Sequence, residues 1–138
     1  MKIIKLAFVC SVLTFTSLAS AEVAVIVNPN NSAVLSDSDI SRLFLGKLKK
    51  FSTGDKATAV NLKFGSATRN EFEQKVLKKS SSQIKAYWSK LVFSGKGKPP
   101  KELASDKDIM ALIASNPNAI AYVDAASVDD SVKVIKKF

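Results

Sequence analysis

Apolar and polar positions change rhythm several times along the chain, and each change predicts an element. Glu22-Val23-Ala24-Val25-Ile26-Val27 is a short, continuous apolar run rich in β-branched residues, stopped by Asn28-Pro29-Asn30-Asn31. That pattern predicts a buried strand. Ser36-Asp37-Ser38-Asp39 then offers several N-caps ahead of Ile40, Leu43 and Phe44. The i, i+3, i+4 spacing predicts a helix with one apolar face, ended by Gly46. Lys47 to Asp55 reads as a basic, turn-like connection that contains Phe51 and Gly54. From Ala57 to Phe64 a second strand is predicted, with Val60 and Leu62 alternating with polar neighbours.

Three helices are predicted next. Thr68-Arg69-Asn70-Glu71 has the form of a capping box, followed by Phe72, Val76 and Leu77, with Lys78 and Lys79 in the last turn. Ser80 to Gln83 forms a second box, before Ile84, Tyr87, Trp88, Leu91 and Val92 at the strongest helical spacing in the chain. Gly95 is the expected end, and Lys96 to Leu103 is expected to be a basic loop around Pro99-Pro100. Ser105 caps a third helix carrying Ile109, Leu112 and Ile113, which stops before Asn116-Pro117. Ala119-Ile120-Ala121-Tyr122-Val123 repeats the buried-strand pattern, and Val132-Lys133-Val134-Ile135 predicts a short last strand. Strands alternating with helices make an α/β domain with a mixed or mostly parallel sheet flanked by helices.

Composition narrows the chemistry. The 138 residues include 21 Lys+Arg against 12 Asp+Glu, a formal charge of +9, with no His and one Cys. The length suits a single domain. The absence of His removes His-based triads and imidazole metal sites, and a single Cys excludes an internal disulfide. The first 21 residues read as a secretory signal. They comprise a basic start at Lys2 and Lys5, an uncharged, mainly apolar run from Leu6 to Leu18, and Ala19-Ser20-Ala21 with small residues where a signal peptidase cuts. Cleavage is expected after Ala21, leaving residues 22–138 as one domain with 19 basic and 12 acidic groups. A buried N-terminal helix is the other reading of the apolar run. For an exported chain, small anions, anionic surface polymers and acidic protein faces are the expected partners of the charge, rather than nucleic acid.

Few motifs carry chemistry. The close Asp pairs Asp37/Asp39, Asp106/Asp108 and Asp129/Asp130 lack calcium-loop spacing, and helix capping accounts for the first two. No metal or cofactor is expected. Ser82-Gln83-Ile84-Lys85 matches the S-x-x-K of serine acyl-enzymes, but the accompanying S-D-N and K-T-G elements are missing and a capped helix explains it. No nucleophile–base pair can be assembled, so no enzymatic activity is expected. Phe64-Gly65-Ser66-Ala67-Thr68-Arg69 joins a predicted strand to a helix through small hydroxyl residues. Free N–H groups at a helix start and neighbouring hydroxyls make an anion cradle, and Arg69 could add a guanidinium fork. Plain capping by Thr68, with Arg69 in solvent, is the competing reading.

The order of several short pieces adds a resemblance. They are Val25-Ile26-Val27-Asn28, Leu43-Phe44-Leu45-Gly46-Lys47, Gly65-Ser66-Ala67-Thr68-Arg69 with Phe72, Tyr87-Trp88, Phe93-Ser94-Gly95 and Ala119-Ile120-Ala121-Tyr122-Val123. In this order they resemble the phosphate-binding-protein-like family of periplasmic solute receptors, related to the receptor of ABC-type phosphate uptake. The resemblance implies one lobe of a receptor whose two α/β lobes close over phosphate. It implies ligand contacts at Gly65, Ser66, Ala67, Thr68 and Arg69, the positions of the family's Gly-Ser-Gly-Thr turn and the residue after it. Ala67 replaces the second glycine. Leu62 and Phe64 stand where the full-length receptors carry a charged pair. The partners implied are inorganic phosphate or a similar anion and a membrane transporter or sensor, with a homodimer as one way to complete the site. The alternative function is an exported interaction module of the same fold that has lost its ligand and docks on a membrane partner or an anionic surface polymer.

Overall fold

The computed structural model describes residues 21–138, so the expected signal segment, residues 1–20, lies outside the described residues. The predicted apolar runs form the middle of one mixed sheet. β1 (Val23–Val27), β2 (Thr58–Leu62), β3 (Lys101–Leu103), β4 (Ala119–Asp124) and β5 (Lys133–Lys137) lie side by side in the order β3-β2-β4-β1-β5. β2 runs parallel to both β3 and β4, whereas β1 is antiparallel to β4 and β5. Every residue of β1 is buried, as a strand between two neighbours with both faces covered requires.

Four helices flank the sheet: α1 (Asp37–Phe44), α2 (Ala67–Phe72), α3 (Ser81–Phe93) and α4 (Asp106–Ser115). Their starts follow side-chain capping. Ser36 with Asp39, and Ser80 with Gln83, close reciprocal boxes, and Ser105 accepts from the Asp108 N–H. The glycines Gly46 and Gly95, just past α1 and α3, take φ of +71° and +70°. A Cβ on Gly46 would come within 3.0 Å of the Trp88 ring, so the turn and the packing both need glycine there.

The core centres on three rings. Phe72 stacks on Tyr122 at a centroid distance of 3.8 Å, and Phe44 meets both edge-on at 4.7 and 5.6 Å. Each large apolar side chain fully buried in this way is worth about 1.5–3 kcal/mol. The Tyr122 hydroxyl donates to Asn61 Oδ1 across the buried β2–β4 region, 2.9 Å away. The amide of Asn28 donates to the last carbonyls of α4, Ile113 and Ala114, tying the end of β1 to that helix.

Three predicted details differ. The second helix is capped by Ser66 rather than Thr68, two residues earlier than the apparent box, and Glu71 pairs instead with Lys75 at 3.1 Å. It continues past Phe72 as a wide π turn, Glu73–Leu77, ended by Lys78 in the left-handed region at φ +57°. The expected loop after α3 ends in a strand, because Lys101–Leu103 pairs with Val60–Leu62. On α3, Ile84 and Trp88 face the core, but Val92 is exposed.

Candidate functional site

β2 delivers the chain to Gly65, which turns at φ +84° with open space around its Cα. Ser66 caps α2 by accepting from the Arg69 N–H at 3.3 Å. The N–H groups of Ala67 and Thr68, the first two of the helix, have no acceptor within the helix. Gly65 and Ala67 are exposed and Ser66 and Thr68 half-buried, so the turn presents backbone donors and hydroxyls at the surface. The carboxylate of Glu71, one turn along, is held by Lys75, which lessens its repulsion of an anion at this turn.

Arg69 points the other way. It is 5% exposed, and its guanidinium donates to the Leu62 carbonyl at 3.0 Å and to the carboxylate of Glu102 on β3. Its Nε lies 3.7 Å from Glu73 Oε1, beyond hydrogen-bond distance, and Nε and Glu73 Oε2 are both buried without a hydrogen-bond partner. Ser81 Oγ, at the start of α3, reaches Glu73 Oε1 at 3.0 Å and Asn70 Oδ1 at 2.8 Å. Thus the turn and Arg69 are neighbours in sequence, but the turn faces solvent while the guanidinium joins an internal ion cluster. Glu73 was legible as an i+4 partner of Arg69. Glu102, 33 residues away, had no local signal.

A cleft of about 510 Å³ opens beside this cluster. Phe64, Trp88, Val92 and Phe93 line it, with Arg69 and Glu102 among its wall residues. Phe64 sits under two cations, the Arg69 guanidinium at 5.3 Å and Lys85 Nζ at 5.9 Å. Phe93 is 96% exposed and Phe64 44%.

The remaining candidates have local roles. Asp39 accepts from the Ser36 backbone N–H, Asp106 accepts from Ser127 Oγ and the Asp124 N–H, and Asp129 accepts from the Ser131 N–H. Ser82 and Lys85 lie exposed on the first turns of α3.

No protein-family model matches the chain, and no curated protein matches it. Solved structures do. An ABC-type phosphate transport receptor from Vibrio cholerae superposes with a TM-score of 0.66 at 20% identity, over 84% of this chain and 46% of its own. A protein described as a phosphate ABC transporter substrate-binding protein with bound phosphate, from Clostridium perfringens, gives 0.67 at 24% identity, over 84% and 44%. The likeness is one of fold: the α/β domain corresponds to a single lobe, and the chain spans less than half the length of these structures.

Proposed function

We propose that the protein is an exported, non-enzymatic solute-binding protein for phosphate or a similar oxyanion, linked to ABC-type phosphate uptake or sensing. The observation that carries this reading is the Gly65–Thr68 turn, whose first helical N–H groups meet solvent on the fold shared with phosphate receptors. The ligand contacts are the N–H groups of Ala67 and Thr68, the hydroxyls of Ser66 and Thr68, and the open approach at Gly65. Arg69 joins them when its guanidinium exchanges Glu102 for the anion. The secretory signal places residues 22–138 in the periplasm after cleavage at Ala21, and the membrane partner is a transporter or sensor.

One lobe surrounds an anion on one side only. Two or three charge-assisted hydrogen bonds at roughly 1.5–3 kcal/mol each, less the cost of association, put the monomer near a millimolar constant, about −4.1 kcal/mol. Tight binding needs a second surface, from a homodimer or the membrane partner. A melting scan against phosphate, sulfate and chloride tests the reading, because a ligand of the native state raises the melting temperature. Identical melting in all three salts at equal ionic strength would overturn it. Intact mass of the periplasmic protein tests the leader, and a mature chain retaining Leu6–Leu18 would refute its cleavage.

The exposed Phe64, Val92 and Phe93 favour a second reading, an exported interaction module that docks on a membrane partner. Exposed aromatic groups in one patch are a feature of contact surfaces. Loss of partner capture in Phe93→Ser, with no anion effect on melting, would select it.

A further inference from the structure

A second groove lies at the opposite end of β2 from the Gly65 turn. It exists because Pro99 and Pro100 carry no N–H, so the β2–β3 ladder begins only at Val60 and Lys101. Upstream of that pair, Thr58 and Ala59 border a groove of about 720 Å³. Leu43, Leu48, Ala57, Trp88, Pro99 and Pro100 supply an apolar lining. Five lysines also line it: Lys49, Lys50, Lys56, Lys98 and Lys101.

The charges on this groove are of one sign. No acidic residue lines it, and none of the five lysines has an ion-pair partner among the described residues. Asp55, in the adjoining loop, accepts from Thr53 Oγ1 and stands outside the lining. Like charges gathered around an apolar surface repel one another, and an anion lodged among them relieves that repulsion. An apolar body beside the anion would release water from the lining at the same time. The size is within the roughly 300–1,000 Å³ typical of sites for drug-sized molecules.

We propose that this groove binds a free anionic amphiphile, an alkyl or aryl body ending in a phosphate or carboxylate. Inorganic phosphate offers nothing to the apolar lining, and a neutral hydrocarbon leaves the five charges uncompensated. The site is separate from the oxyanion turn and goes beyond the function proposed above.

Trp88 is the only tryptophan of the chain and lines both this groove and the Phe64–Phe93 cleft, so its emission reports binding to either, and the double lysine variant assigns the response to the groove. The protein is titrated with decyl phosphate below its micelle-forming concentration, beside decanol, decyltrimethylammonium and inorganic phosphate. The expected result is a saturable change at one equivalent with decyl phosphate, at least tenfold weaker binding of decanol, and no saturable response to the other two. Lys49→Gln/Lys98→Gln should weaken decyl phosphate at least tenfold with an unchanged melting temperature. Equal affinity for decanol and decyl phosphate, or undiminished binding in the double variant, would overturn the proposal. A response to phosphatidylglycerol vesicles without one to free decyl phosphate would also overturn it, by making the groove a membrane contact.

Discussion

The carboxylate of Glu102 sits on the guanidinium of Arg69, so any anion that Arg69 is to bind must compete with it. Glu102 is half exposed at the sheet edge while Arg69 is the one buried cation among the described residues, so the chain carries its own anion beside it. Glu102→Gln keeps the shape and removes the charge. It should tighten phosphate binding about tenfold, equivalent to about 1.4 kcal/mol. Calorimetry at low salt checks this, and an unchanged constant would take Arg69 out of the oxyanion site.

Arg69 also compensates the buried Glu73. Arg69→Ala strands that carboxylate and should cost about 3–5 kcal/mol, whereas Arg69→Met combined with Glu73→Leu should recover most of the loss. Urea unfolding of the two variants makes the comparison. Equal destabilisation by both would show that packing, not charge, dominates this cluster.

Ser66→Ala should destabilise the fold by about 1 kcal/mol through the lost cap, and Thr68→Ala by less. Chemical denaturation of the pair distinguishes them. The reverse ranking would make Thr68 the effective cap in solution.

The Tyr122 hydroxyl and Asn61 form a buried pair, and burial pushes the Tyr122 phenol well above its ordinary 10.0. A raised acid keeps its neutral form in the fold, so its contribution is complete below pH 10 and declines as pH climbs beyond it. Tyr122→Phe leaves Asn61 without that donor and should cost about 1–3 kcal/mol at neutral pH. It should also remove part of the alkaline loss, which a melting series from pH 8 to 11 would reveal.

Asp39 is the opposite case. Hydrogen bonds from the Ser36 backbone and side chain hold its carboxyl below the ordinary 3.8. Its contribution is present above that value and fades as pH falls below it. Asp39→Asn should therefore lower stability at pH 7 and flatten the acid limb below about pH 4, where the two proteins converge. A melting series from pH 2.5 to 5 is the check, and an unaltered acid limb would assign that loss to other carboxylates.

Local chemistry reads well from this sequence and distant pairing does not. The apolar run of β1 and the caps at Ser36, Ser80 and Ser105 were legible because each depends on residues within four positions. The antiparallel placement of β1 was not, since an all-apolar strand looks the same beside parallel or antiparallel neighbours. β3 was hidden because three residues, Lys101-Glu102-Leu103, are too few to show a period. At the site, the turn was legible and the direction of Arg69 was not. Its fate depends on Glu102, whose position is set by a strand pairing that the local pattern does not display. The cap lies at Ser66 rather than Thr68, with its hydroxyl accepting from the Arg69 N–H, and Glu71 pairs with Lys75 instead of closing a box.

The strand order also governs when the protein can fold. β1, at residues 23–27, is seated between β4 and β5, the two strands completed last. As the chain emerges from a ribosome, its most apolar strand therefore has no hydrogen-bonding neighbour until residue 119 has appeared. The other edge stays open until residue 133. Such distant pairing slows folding. It leaves an unfinished chain with its most apolar strand unpaired for most of its synthesis, a state costly to a chain cut short before residue 119.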